Sequence, residues 1–196
     1  MLGLLVATDA RWAREALADL PAVLRDHAHC EMKAASHALS LAARHPDDLA
    51  VVRRLTAIAQ EELEHFDRVV TVLSDRGIPI GTPPVDAYAA ELRARVAKLP
   101  RTAPPMVDRL LTCALIEARS CERFKLLLEQ MPEGDLCVFY KELFVAEARH
   151  YREFCDLAAH VGGEAASSAR LAEIARVEAE VVRAQGASPP RAALHG

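Results

Sequence analysis

Two Glu-x-x-His motifs, each preceded by a lone glutamate, constrain this chain more than any other feature. The motifs run from Glu62 to His65 and from Glu147 to His150, and the lone glutamates are Glu31 and Glu117. Corresponding residues of the two halves lie 85 or 86 positions apart. The halves therefore carry the same three side-chain types in nearly the same register.

A single Glu-x-x-His pair is weak evidence, because a chain of this composition contains roughly 0.7 of them by chance. Two pairs, each about thirty residues after a lone glutamate, are much harder to obtain by chance. They match helix bundles in which two helices each supply one Glu and two others each supply Glu-x-x-His. The pattern predicts a dinuclear metal site.

The remaining sequence predicts an all-α protein. Apolar residues recur at three- and four-residue steps, aromatic residues make up only 5% of the chain, and no βαβ alternation is present. Only the Pro-rich stretch 78–105 is long enough to join two helical hairpins, which predicts a ferritin-like four-helix bundle with one long crossover and peripheral helices. We expect helices over residues 11–20, 21–44, 48–76, 85–99, 106–130, 135–161 and 168–183.

The length fits one domain. We assign residues 1–185 to a single ferritin-like domain and residues 186–196 to a disordered tail. On the predicted helices the six ligand residues interrupt apolar stripes, so four carboxylates and two imidazoles would lie in the core. Burying these charges without cations would cost several kcal/mol each. Oxygen ligands with one imidazole per metal favour Fe(II) or Mn(II) over Cu(I) or a structural zinc, and we predict two irons.

Charge, cysteine content and the lack of long apolar runs indicate which partners and which cellular compartment to expect. The formal net charge is −4, so a polyanion would need a local basic patch. Five cysteines without a C-x-x-C pair predict buried thiols in a reducing compartment. The first seven residues lack a signal peptide's basic region, and no apolar run is long enough for a membrane span. We expect a cytoplasmic protein without membrane contact.

Several residues near the motifs are further candidates. His27 lies one helical turn before Glu31, where it could line the entrance of the site or be a satisfied, partly buried histidine. Glu61 could accept a hydrogen bond from a ligand histidine, or it could be a solvated residue on the helix surface. Phosphate groups would need basic side chains, for which the candidates are Arg11, Arg14, Lys33, Arg53, Arg54, Arg93, Arg95, Lys98, Arg119, Arg123 and Lys125.

The chain resembles the bacterial MiaE-type tRNA hydroxylases, which belong to the ferritin-like di-iron proteins. The resemblance rests on residues 26–33 (DHAHCEMK), 61–66 (EELEHF), 117–124 (EARSCERF) and 146–151 (AEARHY). It implies that Glu31, Glu62, His65, Glu117, Glu147 and His150 hold two irons. It also implies O2-dependent hydroxylation of the isopentenyl group on 2-methylthio-N6-isopentenyladenosine, next to the tRNA anticodon.

That reaction implies two partners, the tRNA anticodon stem-loop and an external reductase or ferredoxin, because the chain has no flavin or nicotinamide motif. We expect a monomer. The residues also leave other functions open: a ferritin-like ferroxidase, a rubrerythrin-like peroxide scavenger, a quinone hydroxylase, or a helical scaffold with a fortuitous acid cluster. The scaffold does not explain six charged side chains on apolar faces.

Overall fold

A computed structural model describes residues 2–83 and 85–186, and within them the chain forms seven helices and no strand. The all-helical prediction is therefore confirmed. None of these helices is long and apolar enough to cross a membrane. The helices are α1 (Arg11–Ala18), α2 (Leu20–Ala43), α3 (Leu49–Asp75), α4 (Ala87–Val96), α5 (Pro105–Leu128), α6 (Asp135–Gly162) and α7 (Glu164–Gln185).

Local signals account for where these helices begin. The Asp48 carboxylate accepts the backbone N–H groups of Ala50 and Val51 at the start of α3. Helices α2 and α5 carry proline in their first turn, where a missing N–H costs little. The four helices that carry the predicted ligands, α2, α3, α5 and α6, accordingly begin and end within two residues of the prediction.

Helix α7 is longer than predicted. We expected it to begin at Ser168, but it begins at Glu164, directly after α6 ends at Gly162. Gly163 lies between them with φ +83°, a conformation that L-residues rarely adopt. One glycine therefore turns the chain, and the longer connection that we predicted is not needed.

The described residues divide into two compact units. The first, here called the α2–α3 unit, spans residues 18–83 with residue 85, and α2 packs along α3. Its buried apolar residues alternate with the predicted ligand positions on both helices, and they include Leu24, Ala28, Ala35, Ala38, Leu41, Leu55, Ile58, Val69 and Leu73. The unit is a helical hairpin with carboxylates in its packed face.

The second unit, here called the α4–α7 unit, contains residues 2–17 and 86–186. Helix α5 packs against α6, α7 and α4, so its residues 106–107 and 110–124 are buried on every side. We had predicted a single apolar stripe on α5. A helix surrounded by neighbours is buried all round, which explains the difference.

Our assignment of residues 1–185 to one domain stays a prediction. The predicted disordered tail lies outside the described residues except for Gly186. All five cysteines are free, and four of them are buried, which confirms the expectation of reduced thiols.

Candidate metal centre

Three predicted ligands converge in the α2–α3 unit. Glu31 comes from α2, whereas Glu62 and His65 lie three positions apart on one face of α3. One donor atom from each of the three side chains lies within 4.8 Å of the others. His65 Nδ1 is 3.7 Å from Glu31 Oε2 and 3.5 Å from Glu62 Oε2. All three side chains are buried, so they form a compact charged cluster inside a packed hairpin.

A second histidine contacts the cluster. The His27 Nε2 atom lies 2.7 Å from Glu31 Oε1, and the His27 side chain is 1% exposed. The burial of His27 excludes a place at the entrance of the site and agrees with the other role that we considered, a satisfied histidine inside the protein. Its partner is a predicted ligand. Sequence spacing placed it on the correct face of α2, but only the packed structure reveals the hydrogen bond.

The electrostatics of the cluster follow from these contacts. Burial raises the pKa of the Glu31 carboxyl, but hydrogen bonds with Glu62, His27 and His65 outweigh burial, so the pKa lies well below its ordinary value. Burial lowers the pKa of His65, but its interactions with Glu31 and Glu62 raise it to about 10. Without a metal ion, a proton on His65 therefore serves as the counter-charge of the carboxylates at neutral pH.

The other three predicted ligands lie in the α4–α7 unit. Glu117 is on α5, Glu147 and His150 are on α6, and these two helices pack against each other. The side chains are 6%, 3% and 0% exposed, respectively. Their burial satisfies one requirement of a ligand set, and their union with Glu31, Glu62 and His65 in one six-ligand centre stays a prediction.

The side chains in the α2–α3 unit fit a divalent metal ion. Carboxylate oxygens and an imidazole nitrogen are ligands that Fe(II), Mn(II) and Zn(II) accept. The cluster is buried and carries two carboxyl groups in reach of one imidazole, so a cation there would replace the proton on His65. The residues present therefore fit the metal that the sequence predicts.

Two of the predicted phosphate-binding candidates are ruled out by burial. Arg119 is 0% exposed, and its guanidinium donates to Glu178 Oε1 at 2.7 Å. Arg123 is 8% exposed and lies 5.3 Å from the centre of the Trp12 ring. Arg119 has an internal partner, and Arg123 stacks on Trp12. Spacing alone could not identify these roles, because Glu178 and Trp12 lie far away in sequence.

Comparison with known proteins supplies the remaining evidence. A family model described as tRNA-(MS[2]IO[6]A)-hydroxylase (MiaE) matches residues 3–192. A tRNA 2-(methylsulfanyl)-N(6)-isopentenyladenosine(37) hydroxylase of Pseudomonas putida (strain KT2440) is 40% identical over 179 residues, covering 90% of this chain and 84% of that protein. A protein of Salmonella typhimurium (strain LT2) with the same description is 31% identical over 213 residues, covering 84% and 77%.

A solved structure has a similar fold. It is described as Protein 43 with aldehyde deformylating oxygenase activity from Synechococcus. The two structures align with a TM-score of 0.87 at 32% sequence identity, covering 98% of this chain and 95% of the other. The predicted ferritin-like fold class is thereby confirmed.

Proposed function

Since the chain belongs to the tRNA-(MS[2]IO[6]A)-hydroxylase (MiaE) family, we propose that it hydroxylates the isopentenyl group of 2-methylthio-N6-isopentenyladenosine beside the tRNA anticodon. The proposed reaction uses O2, two irons and two electrons from an external reductase or ferredoxin. The observation that carries the proposal is the buried cluster of Glu31, Glu62 and His65 in a chain of this family.

The proposed ligand set joins both halves of the internal repeat. Each half would contribute two glutamates and one histidine, which is the donor set of helix bundles that hold two metals. We assign the six ligand positions to Glu31, Glu62, His65, Glu117, Glu147 and His150. When bound, two irons with O2 would supply the oxidising power that replaces an allylic C–H bond of the isopentenyl group by C–OH, which no amino-acid side chain can provide.

The protein's own residues have two tasks in this reaction. The first is to present the ligands, and the short separations among the donor atoms of Glu31, Glu62 and His65 support this role. The second is proton handling, since His65 must lose the proton that it carries in the metal-free protein before it can act as a ligand. Because Glu31, Glu62 and His65 are buried, bulk water is kept away from the ligand atoms and from the proton on His65.

The substrate is a base in an anticodon loop. Unstacked loop bases are accessible to proteins through stacking and edge contacts. The base pairs of the anticodon stem therefore do not have to be opened. Exposed cations would contact the backbone phosphates. Burial removes Arg119 and Arg123 from that role, and it leaves nine basic residues as candidates: Arg11, Arg14, Lys33, Arg53, Arg54, Arg93, Arg95, Lys98 and Lys125.

The test is a single-turnover reaction of the anaerobically iron-loaded protein. The loaded protein is mixed with ¹⁸O2, a chemical reductant and tRNA that carries the isopentenyl nucleoside, and the digested nucleosides are analysed by mass. We expect the nucleoside to gain one ¹⁸O atom, with a yield that follows the iron content up to two irons per chain. The same tRNA without the isopentenyl group should stay unchanged.

Other outcomes would reassign the function. Rapid oxidation of added Fe(II) or loss of peroxide, with unchanged tRNA, would indicate a ferroxidase or a peroxide scavenger. The structural neighbour's description names aldehyde deformylating oxygenase activity, so an aldehyde is the second substrate to offer. Loss of the aldehyde's formyl carbon without any change in the tRNA would transfer that activity to this chain and overturn the hydroxylase proposal.

A further inference from the structure

We infer that His27 is a positioning residue for the metal ligand Glu31, and that it acts by holding one carboxylate oxygen so that the other faces the cluster. The inference rests on the proposed function, because it assumes that Glu31 binds a metal. It starts from one contact, the 2.7 Å separation between His27 Nε2 and Glu31 Oε1 in the interior of the α2–α3 unit.

The direction of this hydrogen bond follows from the chemistry of its partners. An ionised carboxylate can accept hydrogen bonds but cannot donate them. His27 Nε2 must therefore carry a hydrogen and donate it to Glu31 Oε1. The two residues are four positions apart on α2, so the backbone of the helix holds them on the same face. The contact is built into one rigid element.

The two oxygens of Glu31 have different environments. Oε1 accepts from His27, whereas Oε2 lies 3.7 Å from His65 Nδ1. Rotation of the carboxylate would break the bond to His27 in a place with almost no exposure to water. A ligand whose orientation is already set loses less freedom on metal binding, and this is how outer partners of metal ligands raise affinity.

The repeat predicts that this support is present in only one half of the site. His27 corresponds to Cys113, which lies four residues before Glu117. A thiol is a much weaker donor than an imidazole N–H. The affinities of the two metal equivalents should therefore respond differently to a change at His27, because the corresponding position in the other half carries a thiol instead of an imidazole.

His29 provides an internal control for any variant of His27. It lies two residues further along the same helix, its side chain is 3% exposed, and neither ring nitrogen has a hydrogen-bond partner among the described residues. Two residues correspond to about 200° around an α-helix, so His29 points away from Glu31. A change at His29 removes a buried imidazole without touching the proposed ligand.

The experiment compares metal binding by His27→Leu, His27→Gln and His29→Leu with that of the wild type. Fe(II) is titrated anaerobically by equilibrium dialysis, and thermal melts of the metal-free proteins check folding. We expect His27→Leu to bind one of two equivalents about 10- to 100-fold more weakly and the other normally. His27→Gln, which keeps an N–H donor, should recover most of the loss, and His29→Leu should bind like the wild type.

A second measurement locates the hydrogen on the imidazole ring of the wild-type protein directly. Long-range ¹H–¹⁵N correlation spectra of histidine-labelled, metal-free protein report which ring nitrogens carry hydrogen, and the missing signal in His27→Gln assigns the ring. We expect a hydrogen on His27 Nε2. A bare Nε2 would overturn the inference, whatever happens to the variants.

The failures of the inference and of the proposed function can be distinguished. If wild-type protein binds two irons and His27→Leu binds them equally well, the role of His27 is wrong and the hydroxylase proposal stands. An equal loss in His27→Leu and His29→Leu would mean that any buried change in α2 disturbs the site, and the inference would again fail. If the wild type binds no metal, both fail together.

Discussion

At the scale of single residues, the cluster in the α2–α3 unit is a compromise between burial and charge. Glu31, Glu62 and His65 are 4%, 1% and 8% exposed, and an isolated charge at any of these positions would be costly. The positive charge of His65 offsets the negative charges of Glu31 and Glu62 through contacts of 3.7 and 3.5 Å. The same contacts keep His65 protonated in the absence of metal, which makes metal binding sensitive to pH.

Metal binding should release protons, because His65 can coordinate only as the neutral imidazole. Its pKa is about 10 in the metal-free protein, so at pH 7.5 metal binding should expel about one proton per chain from this residue. Affinity should then rise about tenfold per pH unit and level off above pH 10. Calorimetric titrations with Mn(II) in buffers of different ionisation heats count the protons. Heats that do not depend on the buffer would contradict the prediction.

Removal of a proposed ligand in the other half should abolish turnover. His150→Ala should lower activity by more than about 100-fold, since even outer partners of metal ligands are worth 10- to 100-fold. The matched control is His160→Ala, which makes the same change at an exposed position ten residues further along α6. Both proteins should remain helical by circular dichroism. Full activity with bound iron in His150→Ala would show that the ligand set is wrong.

At the scale of secondary-structure elements, the position of α7 depends on the turn at Gly163 that connects it to α6. Gly163 separates α6 from α7 with φ +83° and ψ 145°, a region that is almost restricted to glycine. The turn lets α7 pack against α4, α5 and α6. A single residue therefore controls how α5, the most buried helix of this unit, is covered by α7.

Gly163→Ala should destabilise the protein by about 1–3 kcal/mol, because the backbone would hold alanine in a strained conformation. Gly186→Ala is the matched control at the other end of α7, where φ is −62° and alanine fits. It should stabilise by about 0.4–1 kcal/mol by restricting the unfolded chain. Urea unfolding followed by circular dichroism gives both values. Equal effects of the two substitutions would show that the φ angle is not the cause.

At the scale of the whole molecule, long-range polar contacts join segments that are distant in sequence. Arg119 on α5 donates to Glu178 on α7 at 2.7 Å and to the carbonyl of Val6 at 2.9 Å. It also contacts Glu122, whose carboxylate accepts the Thr8 hydroxyl at 2.6 Å. Tyr88, which belongs to α4, donates its hydroxyl to Glu178 at 3.0 Å. This buried network fastens the N-terminal segment, α4 and α7 to α5.

Arg119→Met should destabilise the protein by about 3–5 kcal/mol, because it leaves Glu178 charged and buried without its cation. The double variant Arg119→Met/Glu178→Gln should recover part of this loss, since glutamine removes the charge and still accepts from Tyr88. Arg95→Met is the surface control: its partner Glu91 is 39% exposed, and the cost should stay within about 1 kcal/mol. Denaturant unfolding of all three variants provides the test.

A loss of less than about 1 kcal/mol in Arg119→Met would contradict a dominant role for the network. So would a double variant less stable than the single one, because it would mean that the Glu178 charge is not what destabilises the protein. The N-terminal residues provide a local readout. Hydrogen exchange at the Thr8 amide, which donates to Glu122, should become faster in Arg119→Met than in Arg95→Met.

The sequence by itself determined the helices that carry the ligands and the face on which each ligand lies. Both properties depend on neighbours within a few positions: caps such as Asp48, prolines in first turns, and side chains at three- and four-residue spacing. Repetition of the same three residue types in both halves then indicated a metal site. The convergence of Glu31, Glu62 and His65 on one point in the α2–α3 unit is compatible with that site, and the ligand assignment itself stays a prediction.

Only the tertiary structure decided which charged residues are internal. Arg119 was a candidate for contacting RNA, yet it is buried against Glu178, fifty-nine positions away. His27 was a candidate for the entrance of the site or for a satisfied internal position, and the structure shows that it is enclosed and hydrogen-bonded to Glu31. An exposed and a buried arginine have the same local sequence signals, because the difference lies in which distant elements pack over them. Those contacts become definite only when α4, α6 and α7 enclose α5.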